Sequence, residues 1–186
     1  MIGAFRIEGH AIVSRDDRIA DAGGAMPPGL RNDADWHNFQ SALEEAAIVV
    51  LGRRSHVTAP NPAERTRLVV SSSADGIERR DDAWWWNPAR VTAAQALALA
   101  AGGGGMAAVV GGRGVFDLFL GLGFDAFHLA RAAQVMLPGG VPVFSGVDDG
   151  RAAGDVLAGA GLQAGPPRLL DPGAGVTLVT WAPAPA

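Results

Sequence analysis

Three short stretches of this chain combine pliant backbone with side chains that suit anions. Gly52-Arg53-Arg54-Ser55 sets two guanidiniums between a glycine and a serine. Ser71-Ser72-Ser73 offers three short hydroxyl donors. Gly111-Gly112-Arg113-Gly114 lets a backbone come close to a ligand just before a helix begins. Backbone N–H groups at a helix start, guanidiniums and hydroxyls all bind phosphate oxygens, and glycine removes the Cβ that would keep a ligand away. A fourth stretch is acidic: Asp33 and Asp35, followed by Trp36 and Phe39. Asp33 suits a cap or a helix-dipole partner. Asp35 has Phe39 four residues on, so carboxylate and ring share one helix face. A carboxylate on the rim of an apolar wall suits a cationic or amidine-like group.

These stretches lie where apolar runs end. Ala11–Ser14 reads as a short strand running into a polar, glycine-rich loop, 15–29, with Pro27-Pro28 near its close. A loop that long suggests function rather than connection alone. A helix follows, capped by Asn32 or Asp33, with Trp36, Phe39, Leu43 and Ala47 at helical spacing on one face. Ala47–Leu51, Leu68–Val70 and Ala107–Val110 are continuous apolar runs, the mark of strands buried on both faces. Ala83–Trp86, Phe124–Arg131 and Val176–Trp181 read as further strands. Thr92 caps a helix over 93–101, and Val115, Phe116, Phe119 and Leu120 mark an amphipathic one. Strand–helix alternation with apolar central strands predicts an α/β fold. The expectation is one three-layer domain over residues 1–186, a mostly parallel twisted sheet with helices on both faces. In such sheets ligands sit at the carboxyl ends of the strands, where the 15–29 loop and the three anion-suited stretches fall.

Composition narrows the chemistry. The chain has 186 residues, net charge −4, no cysteine and no tyrosine, and all 15 basic residues are arginine. Disulfides, thiolate zinc sites, cysteine nucleophiles, lysine Schiff bases and P-loop lysines are therefore excluded. With no basic cluster, nucleic acid is not an expected partner. No run reaches the length of a membrane span, and the first 14 residues lack a basic leader, so a cytoplasmic, soluble protein is expected. His10, His37, His56 and His128 show no ligand-like spacing along the chain, and no metal centre is expected.

With these residues in place, the stretch from Ile12 to Gly146 resembles the dihydrofolate reductase superfamily, which includes the reductase domain of riboflavin synthesis. The resemblance rests on Ala25-Met26-Pro27, Val49-Val50-Leu51-Gly52-Arg53-Arg54-Ser55, Arg65-Thr66-Arg67-Leu68-Val69-Val70-Ser71-Ser72 and Val109-Val110-Gly111-Gly112-Arg113-Gly114-Val115-Phe116, in that order. It implies NADPH as cofactor. Gly52, Arg53, Arg54 and Ser55 would hold phosphates, Ser71 and Ser72 the 2′-phosphate, and Gly111, Gly112, Arg113, Gly114, Val115 and Phe116 the diphosphate and nicotinamide, with Val13 at the first strand end. It also implies hydride transfer to a pterin-like heterocycle bound by Met26, Phe39 and Arg65. The family's pocket acid falls on Asp35, with Asp33 as the alternative. The family's pattern is broken by Pro28 in place of tryptophan, Arg113 in place of a third turn glycine, Phe116 in place of tyrosine and Ala130 in place of threonine. A pyrimidine reductase of riboflavin synthesis and a nucleotide-binding protein without catalysis are the alternatives. The implied partner is a small heterocyclic molecule, and self-association as a homodimer stays open.

Overall fold

A computed structural model describes residues 1–184. Its elements run β1 (Phe5–Ser14), β2 (Arg18–Ala20), α1 (Asp33–Glu45), β3 (Ala46–Gly52), α2 (Arg53–Thr58), β4 (Arg67–Val70), β5 (Ile77–Arg80), β6 (Ala83–Trp86) and α3 (Ala93–Ala101). They continue β7 (Gly105–Val109), α4 (Arg113–Leu122), β8 (Ala126–Ala132), β9 (Val141–Pro142), α5 (Ala153–Gly159), β10 (Leu162–Ala164), β11 (Arg168–Asp171) and β12 (Val176–Pro183). The main sheet runs in the order β10-β12-β8-β1-β7-β3-β4-β6-β5, with β11 on β12. The six central strands from β8 to β6 are parallel, and both margins are antiparallel. The α/β fold class and the parallel core are as read from the apolar runs; the antiparallel margins were not foreseen.

Period-two alternation in β1 explains how two cores form. Phe5, Ile7 and Val13 join Leu97 of α3, Phe116 and Phe119 of α4 and Leu157 of α5 on one face. On the other face Ile12 packs with Leu30, Ala130 and Leu178. Phe39 and Leu43 of α1 cover Val49, Met106 and Ala108 on that same side. Helices therefore cover both faces, the condition for continuous apolar strands. Thr92 caps α3 through the Gln95 N–H, and Gln95 answers the Thr92 N–H. Trp86 is buried, its indole N–H donating to Val91 O at 2.8 Å. Among the described residues no helix is long and apolar enough to cross a membrane.

Four readings need correction. β1 begins at Phe5, not Ala11, because Arg6, Glu8 and His10 alternate with buried residues and hide its first half. The 15–29 segment is not all loop: β2 pairs with β9 within it. The apolar stripe of α1 is rotated by one residue. Trp36 is 57% exposed, Ala47 belongs to β3, and Asp35 takes the place on the inward side beside Phe39. The margins β5, β10 and β11, and the helix α5, were not among the elements expected.

Candidate functional site

The parallel register of β3 and β7 brings two of the anion-suited stretches together. Gly52 donates its N–H to Gly111 O at 2.9 Å. A Cβ on Gly52 would lie 3.4 Å from Val115 Cγ2 and 3.8 Å from Gly112 N, in ordinary contact with the facing turn. The Gly111–Gly112 peptide is cis, and Gly111 has φ +99°. A Cβ there would stand 2.9 Å from the Phe116 ring. Phe116 is itself buried against Phe127 and Phe144, so it supports the turn from beneath. Val115 and Val13 are buried too, and Val13 offers a ligand its backbone only.

Gly112 caps α4, which leaves Arg113 and Gly114 exposed in its first turn. The Arg113 side chain turns toward Asp148 at 3.1 Å, and the other oxygen of Asp148 takes Arg18 at 2.6 Å. One carboxylate thus links the first turn of α4 to β2. The 15–29 segment also passes over the turn. Ile19 Cδ1 lies 3.8 Å from a Cβ built on Gly112, and Arg54 Nη1 lies 2.6 Å from one built on Gly24. Arg53 and Arg54 are exposed at the start of α2, with Ser55 half-buried behind them. Met26 is exposed on the same segment.

Beyond β4, Ser71 and Ser73 share a hydroxyl contact of 2.9 Å. Sequence reasoning missed their neighbour Arg80. It donates to Ser73 O at 2.8 Å and to Ser73 Oγ at 3.3 Å, pairs with Glu78 and lies 4.8 Å over the Trp85 ring. The signal for it was the Arg79-Arg80 pair, seven residues past the serines, but it needed β5 to be recognised as a strand. Of Arg65 and Arg67, Arg67 is the buried one, closing a loop through Ala59 O and Pro60 O at 2.9 Å each. Arg65 is half-buried and its backbone is pinned on both sides by the Asn61 amide.

The two acids part company at the start of α1. Asn32 is the cap, accepting from Asp35 N–H at 3.1 Å, and its amide donates to Asp171 at 2.8 Å. Asp33 points outward and is exposed. Asp35 is half-buried, and burial pushes its carboxyl up to about 6. Ala130, in the apolar core opposite Ile12, brings no hydroxyl to this end of the sheet. Phe39 lies 6.1 Å from the His10 ring. Below it the structure shows a cluster that spacing along the chain had concealed: Glu8 and His10 on β1, and His128 directly opposite His10 on β8. Burial, then the neighbouring His128, lowers His10 to about 4, so its imidazole is neutral at pH 7.

No protein-family model and no curated protein matches this chain. Solved structures do. A dihydrofolate reductase from Enterococcus faecalis, complexed with NADP(H), superposes with a TM-score of 0.67 at 16% identity over 100% of both chains. A diaminohydroxyphosphoribosylaminopyrimidine deaminase/5-amino-6-(5-phosphoribosylamino)uracil reductase from Thermotoga maritima gives 0.66 at 14% identity. It covers 97% of this chain, which spans 57% of that protein's length. A riboflavin biosynthesis protein from a Shewanella species gives 0.64 at 16% identity, over 96% of this chain and 98% of that one. The chain has the dihydrofolate reductase-like fold.

Proposed function

We propose that this protein is an NADPH-dependent reductase that delivers hydride to a pterin-like heterocycle. The observation that carries the reading is Asp35. It is a half-buried carboxyl raised to about 6 on the helix that follows the 15–29 segment, and that segment also crosses the Gly52–Gly111 junction. The backbone at that junction fits a dinucleotide, because its glycines keep the strand ends clear of side chains. NADPH would supply the hydride, so no side chain has to act as a nucleophile.

The chain's own residues have separate tasks. Arg53 and Arg54 hold phosphate oxygens through charge-assisted bonds, with Gly52 and Ser55 beside them. Ser71 and Ser72 meet the 2′-phosphate, and Arg80 adds a guanidinium at the same turn. Gly111, Gly112 and Gly114 bring backbone against the diphosphate and nicotinamide, on the support of Val115, Phe116 and Val13. Arg113 reaches this region only by leaving Asp148. Asp35 accepts hydrogen bonds from the amidine edge of the heterocycle. Near neutral pH it still holds a proton in part, which favours protonation of the imine that receives hydride. Phe39 walls the ring, Met26 closes over it with its segment, and Arg65 holds an anionic tail.

The test is NADPH oxidation with a panel of dihydropteridines and the pyrimidine intermediate of riboflavin synthesis. Turnover of a dihydropteridine is the expected result. Turnover of the pyrimidine alone would move the substrate to the second reading. Tight NADPH binding with no turnover of any panel member would overturn the enzyme reading.

A further inference from the structure

We propose that Glu8, His10 and His128 form a binding site for a divalent first-row transition metal, zinc being the occupant that fits the ligand set. The inference stands apart from the reductase reading. One ligand atom from each residue lies within 4.8 Å of the others. Glu8 and His10 are two apart on β1, hence on one face of the sheet, and His128 is the cross-strand partner of His10. The two imidazoles stack with ring centroids 4.7 Å apart and an interplanar angle of 18°.

The hydrogen bonding around the cluster points the same way. His10 Nε2 is buried without any hydrogen-bond partner, an arrangement that is costly unless something satisfies it. His128 Nε2 and Glu8 Oε2 are 3.1 Å apart. Ligand bonds of about 2.0–2.1 Å in a tetrahedron place donor atoms roughly 3.4 Å apart, so this edge needs little change. The His10 ring completes the third corner by turning out of its stack with His128, so that both in-plane lone pairs meet at one point. His128 Nδ1 lies 3.0 Å from Thr180 Oγ1, so a neutral ring that donates there presents its Nε2 lone pair to the metal. Arg6 Nε holds the other Glu8 oxygen at 2.7 Å, fixing the carboxylate from outside.

The three residues line a cleft of about 330 Å³ between the sheet and α1, together with Asn38, Ser41 and Glu45. It is open to solvent, so water can take the fourth position. Arg168 also lines it, but its guanidinium is held by Asn38. Two imidazoles with one carboxylate suit zinc and its neighbours in the first row better than magnesium or calcium, which prefer all-oxygen sites.

The experiment loads metal-free full-length protein with Zn²⁺ in equilibrium dialysis, and with Co²⁺ for its visible absorption. One saturable equivalent per chain and a four-coordinate cobalt spectrum are expected. His10→Gln, His128→Gln and Glu8→Gln should each weaken binding roughly a hundredfold, and His56→Gln should leave it unchanged. Thr180→Val keeps every ligand and should weaken binding about 10–100-fold. That variant decides the matter if the buried substitutions fail to fold. Absence of saturable binding to the wild type would overturn the proposal. So would undiminished binding in folded His10→Gln and His128→Gln, or in Thr180→Val.

Discussion

Replacing Asp35 with asparagine should make the protein more stable and the enzyme worse, and the stability gain should depend on pH in a calculable way. Folding raises this carboxyl from 3.8 to about 6 because burial disfavours its charge. A raised carboxyl costs folding free energy wherever it must ionise. Stability from this group is intact below the unfolded value and lost as pH climbs through the folded one. At about 1.4 kcal/mol per tenfold, the full loss is about 3 kcal/mol, reached by pH 8. At pH 4 the same linkage gives only about 0.5 kcal/mol. Asparagine carries no charge at either pH, and the Asn32 cap on the backbone N–H of residue 35 is untouched. Urea unfolding of both proteins should thus show the variant ahead by about 3 kcal/mol at pH 8 and about 0.5 kcal/mol at pH 4. Its hydride-transfer rate should fall by about 10²–10⁴-fold, and it should lose the decline in rate expected of the wild type above about pH 6. An equal stability difference at both pH values would refute the burial argument. Full activity in Asp35→Asn with none in Asp33→Asn would move the acid to Asp33.

Arg53→Ala combined with Arg54→Ala should weaken NADPH binding by about 1.5–3 kcal/mol per guanidinium without lowering the melting temperature, as fluorescence titration would read. Unchanged affinity would remove both residues from the phosphate site. Gly111→Ala should destabilise by about 1–3 kcal/mol in urea unfolding, because φ is +99° and the new methyl would meet the Phe116 ring at 2.9 Å. Asp17→Ala should cost about 3 kcal/mol by the same assay. The buried carboxylate pairs with Arg131 and accepts the Ala153 N–H at 2.9 Å, and alanine leaves both unmatched.

The parts of the fold legible in sequence were those where one local pattern decides the structure. Ile48–Leu51 and Leu68–Val69 are buried on both faces, and such strands can be written almost wholly in apolar residues. Thr92 announced α3 as its cap, and the structure adds Gln95 to complete the box. Edge strands carry no such pattern: Glu78, Arg79 and Arg80 in β5 are charged and offer no apolar run to mark a strand. In the candidate site, Asp35 could be separated from Asp33 by its spacing to Phe39, yet that reasoning also placed Trp36 inward. Only the angle at which α1 lies on the sheet decides which residue faces in. Arg80 and the Glu8–His10–His128 group depend on strand register, which joins residues up to 120 positions apart and leaves no trace in local spacing.

The strand order has a consequence for how the chain reaches this state. β1 is complete at Ser14, but its two sheet neighbours are β7, from Gly105, and β8, from Ala126. Sheet pairing of that kind carries a loop-closure cost that local contacts do not offset, and it slows folding. During synthesis at about 5–20 residues per second, Phe5 and Ile7 wait roughly 5–20 seconds for their first partner strand. Throughout that interval a strand with one apolar face has both edges open, the condition in which chains pair wrongly and a chaperone is of most use. β7 closes one edge and leaves the other to β8, and two residues after the end of β7 lies the Gly111–Gly112 turn. Closure of the sheet centre and assembly of the proposed cofactor platform are therefore one event in the life of the nascent chain.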